Sequence, residues 1–285
     1  MERLSTLSSW RDFAQTSRDA GRRVGLVATM GALHDGHASL VRRARDNGDV
    51  VMMTSFVNPR QFSDVGDLAR YPHTPQADFD LARASGVDAL VTPVLREMWP
   101  DYPADTLTTV SVRGLGDVLE GVGRPGHFDG VASIVAKLFA LSGPCRAYFG
   151  EKDFQQLVVV RRMVRDLALD VEVVGCVTQR EEGGLALSSR NARLSPAGRT
   201  RATALSRALR AADESTGPAS DRRQLMRDIM LESDVDVAYA DIVDPETLTS
   251  VRDDEGTSTA RAMVAGYVEG VRLIDNEAIE LSPRS

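Results

Sequence analysis

The amino-acid sequence predicts an α/β protein, a mostly parallel sheet built from β-α-β units and followed by a smaller α+β region. Two observations carry this. Up to about residue 178, short apolar runs of strand length alternate with stretches whose apolar residues recur at helical spacing, the pattern of helices crossing over a parallel sheet. Beyond that point two helical stretches are followed by two strand-like runs with no helix between them, which reads as antiparallel pairing. Length agrees, because 285 residues correspond to about two domains, expected at 1–178 and 179–285.

Taken in order, Val24–Met30 reads as a strand and Gly36–Asn47 as a helix with Leu40, Val41 and Ala44 on its apolar side. Asp49–Val57 reads as a second, buried strand. Asp78–Ser85 is expected to be helical and to end at Gly86, a residue suited to a left-handed cap, before the strand Val87–Thr92. Phe128–Leu141 places Val131, Ile134, Val135 and Leu138 on one stripe; Gly143-Pro144 stops it, and Arg146–Phe149 follows as a short strand. Asp153–Leu167 reads as helix and Val171–Val177 as strand. Then come a polar turn at Glu181–Gly184, amphipathic helices at Pro196–Glu214 and Arg222–Glu232 joined by the loop Ser215–Ser220, and strands at Val235–Val243 and Ala262–Val268. No internal repeat or heptad run interrupts this order, and Arg42-Arg43-Ala44-Arg45 reads as a solvated helix face.

Composition narrows the function. Hydrophobic residues at 42% and charged residues at 26% are a globular balance. A net charge of -7 argues against nucleic acid, whose binders concentrate positive charge, and so favours small-molecule chemistry. No stretch approaches the roughly 18 to 20 apolar residues of a membrane span, and residues 1–23 lack a signal-peptide core. The expected location is cytoplasmic. Cys145 and Cys176 are too few for a disulfide framework and are read as reduced, buried residues. Of 34 basic residues only Lys137 and Lys152 are lysine, so a position that keeps lysine is either a chance survivor or one that needs a compact ammonium.

Four segments carry chemistry. Ala28–His37 lies between the first strand and its helix, where parallel sheets place ligands. Gly31 and Gly36 allow close approach to the backbone, the helix start offers N–H groups to a phosphate, and His34 and His37, three apart, share a face. The same pair could equally be packed or hold a metal. Asn58-Pro59-Arg60-Gln61-Phe62 follows the second strand, and its neutral amides suit hydroxyls and a carboxylate; the alternative is a Pro-initiated turn with solvated amides. Tyr148–Gln156 runs from strand end into helix, where Lys152 could neutralise a transferring phosphoryl group and Gln156 would face the same cleft. The alternative is an exposed lysine paired with Glu151 or Asp153. Leu185–Asn191 offers two hydroxyls and a guanidinium to a triphosphate on a loop able to close, or else is a Ser-capped turn with a surface arginine.

Together TMGALHDGH, VNPRQF, FGEKDFQQ and LSSRN, with Gly126–Val131 and Arg272–Asn276, closely resemble the pantoate–β-alanine ligase (pantothenate synthetase) family over nearly the whole chain. The resemblance implies a nucleotidyltransferase-superfamily enzyme with a Rossmann-like N-terminal domain, a smaller C-terminal lid domain and a homodimer. It implies that Met30, Gly31, Ala32, Leu33, His34, Asp35, Gly36 and His37 line ATP, with His34 and His37 on its phosphates as a HIGH-like pair and His37 as proton donor. Gly150, Glu151, Lys152, Asp153, Gln179 and a KMSKS-like loop of Leu187, Ser188, Ser189 and Arg190 complete the ATP site. Gln61 and Gln156 would hold pantoate, with Asn58 and Arg124 as further candidates; Gln61 and Tyr71 would place β-alanine; Asp78 would contact Mg²⁺ through water. Three positions depart from the family pattern: Ala28 for proline, His73 for arginine, and Gln179 where a small apolar residue is usual beside the adenine.

The implied chemistry is ATP-dependent condensation of pantoate with β-alanine through pantoyl adenylate, with no covalent enzyme nucleophile. Two other readings share the fold. One is a nucleotidyltransferase that adenylates a phosphate, which has no use for the two glutamines. The other is a non-catalytic ATP-binding protein, whose mark would be a missing catalytic residue; none of His34, His37, Lys152, Ser188 or Arg190 is missing.

Overall fold

The computed structural model describes residues 1–254 and 259–281. Contacts divide the chain into two compact units, one of Met1–Glu151 with Gln155–Val177 and one of Lys152–Phe154 with the chain from Thr178 onward. The division at 178/179 read from sequence therefore misses the excursion of 152–154 into the second unit.

The first unit runs β1 (Glu2–Leu4), α1 (Leu7–Asp19), β2 (Val24–Thr29), α2 (Asp35–Asp46), β3 (Val50–Ser55), α3 (Val65–Ala69), α4 (Pro75–Ser85) and β4 (Ala89–Val91). It continues through α5 (Leu95–Met98), α6 (Glu120–Gly123), α7 (His127–Ser142), β5 (Cys145–Gly150), α8 (Phe154–Asp166) and β6 (Val171–Cys176). The six strands form one sheet in the order β1-β4-β3-β2-β5-β6, and every neighbouring pair is parallel. From β2 the chain adds β3 and β4 on one side and then returns to add β5 and β6 on the other, so the topological switch point lies between β2 and β5.

Burial follows the sequence pattern. β2 and β3 are continuous apolar runs because both faces of a parallel sheet are covered. Leu40, Val41 and Ala44 of α2 pack against Val27, Val51, Met53, Leu90 and Tyr148, while Arg42, Arg43 and Arg45 stay exposed. Gly86 caps α4 with φ 88°, as expected, and α4 begins three residues earlier than read, with Pro75 in its first turn. Besides the short helices α3, α5 and α6, of four or five residues each, β1 and α1 escape sequence reading. β1 is three residues at the sheet edge, too short to show a period. Helix α1 is set by a Thr6–Ser9 capping box and by Trp10, which is fully buried and donates its indole N–H to Ser142 Oγ at 3.1 Å.

The second unit contains α9 (Pro196–Ala202), α10 (Ala204–Glu214), α11 (Ala219–Glu232) and an antiparallel sheet of β7 (Asp236–Val243), β8 (Thr259–Val268) and β9 (Val271–Glu280), ordered β7-β8-β9. Its core gathers Leu205 and Leu209 of α10, Met226 and Met230 of α11, and Ile242, Val264 and Leu273 of the sheet. The single helix expected at 196–214 is two, broken at Thr203, whose hydroxyl turns back onto the Thr200 carbonyl at 2.7 Å. β9 is absent from the sequence reading because Asp275 and Asn276 interrupt its alternation. Glu269 (φ 52°) and Gly270 (φ 73°) make the two-residue turn that joins β8 to β9.

Candidate active site

Thr29 ends β2 with its hydroxyl donating to the Thr54 carbonyl of β3 at 2.6 Å and accepting from Gly31 N at 3.2 Å. Gly31 (φ 81°) and Ala32 (φ 49°) are then both in the left-handed region. Asp78, 4% exposed on α4, holds this turn. Its carboxylate accepts from Ala32 N at 3.1 Å, Leu33 N at 2.8 Å and the Thr74 hydroxyl at 3.0 Å. A Cβ on Gly31 would lie 2.9 Å from Asp78 Oδ2 and 3.0 Å from Ser55 Oγ, so this glycine makes room for protein atoms.

His34 is the N-cap of α2 and His37 its third residue. His34 Nδ1 accepts from Gly36 N at 3.2 Å, His37 Nδ1 accepts from His34 N at 3.3 Å, and the rings lie 4.1 Å apart. A ring nitrogen that accepts from a backbone N–H carries no proton, so each neutral imidazole keeps its hydrogen on Nε2. This narrows the expectation that the helix start offers free backbone N–H groups to phosphate. At the helix start those of Gly36 and His37 are bonded within the protein, as are those of Gly31, Ala32, Leu33 and His34 in the loop before it.

Pro59–Gln61 after β3 form a short 3₁₀ turn capped by Asn58. Asn58 is 1% exposed and its amide is fully used. Oδ1 accepts from Trp99 Nε1 at 3.0 Å and from Arg60 N at 3.4 Å; Nδ2 donates to the Gly130 carbonyl at 3.1 Å and to Gln61 Oε1 at 3.0 Å. Asn58, read from sequence as a pantoate contact, therefore holds Gln61 and has no hydrogen left for a ligand. His127, also buried, donates from Nδ1 to the Gln61 carbonyl at 2.7 Å and accepts from Arg124 at Nε2 at 3.1 Å. That carbonyl can only accept and that guanidinium can only donate, which sets the tautomer. Gln61 itself is half-buried, and Tyr71 is buried with its ring edge-on to Phe62 at 5.7 Å.

At the end of β5 the chain passes from Gly150 through Glu151-Lys152-Asp153 into α8. Gln155 is buried, donating to the Leu115 and Val118 carbonyls at 2.8 Å each and accepting from Glu120 N at 3.1 Å, whereas Gln156 is half-buried. Lys152 is half-buried and its ammonium has no hydrogen-bond or ion-pair partner among the described residues; neither Glu151 nor Asp153 pairs with it. Its carbonyl accepts from Asn276 Nδ2 at 2.8 Å; Asn276 Oδ1 accepts from Arg261 at 2.7 Å, and that guanidinium lies 4.2 Å over the Phe154 ring. The other lysine, Lys137, donates to the Met98 carbonyl and lies 4.8 Å over the Trp99 ring, and its burial depresses its pKa.

In the second unit Leu187 N donates to the Gln179 carbonyl at 2.9 Å, and Arg180 pairs with Asp275 at 2.6 Å and Glu277 at 3.3 Å. Ser188 Oγ accepts from Arg190 N at 3.2 Å and so caps the 3₁₀ turn Ser189–Arg193. Asn191 is 3% exposed and anchors the loop through Glu181 Oε1 at 2.9 Å and the Ala186 carbonyl at 3.0 Å. Ser188, Ser189 and Arg190 are half-buried, and Gln179 is exposed. The residues that sequence reasoning missed, Gln155, Asn191, Asp275 and Asn276, are all buried amides or acids that hold site segments. Asp275 and Asn276 stand out as polar residues within the strand run 271–279, whereas Asn191 in 188–193 and Gln155 beside Gln156 carry no such signal.

For a divalent cation the fit is narrow. No group of three or more His, Cys, Asp or Glu gathers among the described residues, and Asp78 spends three acceptor positions on its own loop. The described residues therefore fit an ion that substrate phosphates and water would hold in the main, and not a cage of protein ligands.

Parallel strands in this order, with converging polar groups beyond their carboxyl ends, define a doubly wound α/β ligand-binding protein. The chain belongs to the Pantoate-beta-alanine ligase family, whose model matches residues 2–278. It is 47% identical over 279 residues to a pantothenate synthetase of Paracoccus denitrificans, covering 96% of this chain and 97% of that one. The pantothenate synthetase of Acidobacterium capsulatum is 49% identical over 267 residues, 92% of this chain and 88% of the relative. Among solved structures, pantothenate synthetase from Thermus thermophilus superposes with a TM-score of 0.88 at 46% identity, covering 97% of this chain and 99% of that one. Pantoate-beta-alanine ligase from Francisella tularensis, complexed with beta-gamma ATP and beta-alanine, superposes with a TM-score of 0.80 at 30% identity, with 97% of each chain covered.

Proposed function

We propose that the chain condenses pantoate with β-alanine to pantothenate, using ATP and releasing AMP and pyrophosphate. The observation that supports this most is the pairing of two neighbouring loops. One presents two imidazole Nε2–H donors, and the other presents a glutamine whose side chain and main chain are both held in place.

A carboxylate is a poor acyl donor, so a pantoate oxygen first attacks the α-phosphorus of ATP to give pantoyl adenylate and pyrophosphate. That step needs positioning and charge neutralisation. His34 and His37 donate to the phosphates, with His37 as proton donor, and Met30–His37 line the nucleotide together with Gly150, Glu151, Asp153, Gln179 and Leu187. Lys152, Ser188, Ser189 and Arg190 supply the remaining positive and hydroxyl groups. Gln61 and Gln156 hold pantoate, Arg124 supports Gln61 from the main-chain side, and Gln61 with Tyr71 places β-alanine. The β-alanine amine then attacks the acyl carbonyl and displaces AMP. Mg²⁺ bound with ATP would supply further neutralisation of phosphate charge, and Asp78 would contact it through water. The same reading makes the protein a cytoplasmic homodimer.

The test is AMP and pyrophosphate release from purified protein with Mg-ATP, omitting pantoate or β-alanine in turn. AMP release that requires both, with pantothenate formed, supports the reading. Turnover without either acid, or none in any combination, overturns it.

A further inference from the structure

The amides of Asn58 and Gln61 touch, and an amide can face a neighbour with its oxygen or its NH₂, so something must decide which way each one points. Three of the four contacts at Asn58 are one-way. The Trp99 indole and the Arg60 main-chain N–H can only donate, and they meet Oδ1 at 3.0 and 3.4 Å. The Gly130 carbonyl can only accept, and it meets Nδ2 at 3.1 Å. The second hydrogen on Nδ2 therefore points at Gln61, which must answer with Oε1. Its NH₂ group is left on the far side as the end offered to a ligand.

Trp99 is the shorter of the two donors to Oδ1 and is itself strongly held. It is 5% exposed, with Lys137 Nζ 4.8 Å over its ring and the Arg60 guanidinium 5.2 Å from the ring centroid. The two cations favour the face of an electron-rich indole and keep it from turning.

We propose that Trp99 is a positioning residue for acid binding: through Asn58, its indole N–H makes Gln61 present a donor rather than an acceptor to the substrate. The substrate atom that Gln61 meets is then an acceptor oxygen, of a carboxylate or a hydroxyl, and an ammonium at that place is disfavoured. This rests on the assignment of Gln61 as an acid contact.

The test is a double-mutant cycle of Trp99→Phe and Gln61→Ala, read as the KM for pantoate with the KM for ATP as control. Leaving Asn58 Oδ1 with only the long Arg60 N–H contact weakens the hold on its orientation enough for a roughly tenfold rise in the pantoate KM in Trp99→Phe, with the ATP KM unchanged. In the Gln61→Ala background the same change should cost less than about twofold, because the relay then has no end. An equal rise in both backgrounds, or a rise in the ATP KM alone, overturns the proposal. If Gln61→Ala leaves the pantoate KM unchanged, the assignment of Gln61 fails first, and the proposal with it.

A second measurement keeps Trp99 in place and so does not depend on Trp99→Phe folding. The chain has two tryptophans, Trp10 and Trp99, so the indole N–H of Trp99 is the one resonance that remains in Trp10→Phe. It should shift on addition of pantoate and stay still in Trp10→Phe/Gln61→Ala. A resonance that ignores pantoate in Trp10→Phe overturns the relay.

Discussion

Each imidazole at the start of α2 uses its two nitrogens differently, Nδ1 closing a helix cap and Nε2 carrying the proton. Asp78 works at the same scale, since its carboxylate satisfies two main-chain N–H groups of a left-handed turn that would otherwise be buried without partners. Asp78→Asn puts an amide hydrogen against one of those donors. It should lower stability by about 1–3 kcal/mol in a urea titration done without nucleotide or Mg²⁺. A midpoint equal to that of the parent protein would leave Asp78 with a ligand role alone. Lys152 contrasts with Lys137, whose ammonium is spent on the Met98 carbonyl and the Trp99 ring. Lys152→Ala should fold normally by circular dichroism and lose about 10²–10³-fold in kcat for adenylation, the scale of removing one group that stabilises developing charge. Near-parental turnover would remove Lys152 from that role.

Helix α7 is the element on which the Asn58–Gln61 turn depends. Gly130 lets it lie directly on the turn that carries Gln61. A Cβ there would sit 2.1 Å from the Arg60 carbonyl oxygen and 2.8 Å from Gln61 Cα, and backbone cannot swing aside as a side chain can. Gly130→Ala should therefore cost about 3 kcal/mol of stability, at the upper end of overpacking changes, and should raise the pantoate KM in whatever fraction still folds. Parental stability in thermal melts would show that α7 can slide. The same helix supplies the Gly130 carbonyl to Asn58 and His127 to the Gln61 main chain. At the start of α8, adjacent glutamines part company because successive helical residues point about 100° apart. Gln155 goes inward to tie the 115–120 loop, and Gln156 stays half-buried.

At the scale of the whole molecule, each unit closes its own core, and both cysteines lie inside the first. Burial pushes the Cys145 thiol up to about 12 and the Cys176 thiol up to about 11, so both are protonated at neutral pH. Native protein at pH 8 should resist iodoacetamide, and both thiols should be labelled in denaturant; labelling of the native protein at the rate of a free thiol would contradict this burial. The alternating periods determined the parallel sheet and most of its strands and helices, because burial on both faces of a sheet writes itself directly into apolar runs. The four motif segments were legible because each joins apolar runs to a helix or turn and because together they match the pattern of one family. Which nitrogen of His34 carries the proton, that Asn58 holds a neighbour instead of a ligand, that Gln155 turns inward, and that 152–154 belong with the second unit were decided only by the tertiary structure. Each depends on a partner that the local sequence does not reveal, such as Trp99 for Asn58, Leu115 for Gln155 and Asn276 for Lys152. A polar side chain's role is set by which donors and acceptors surround it, and that set exists only once the chain has folded.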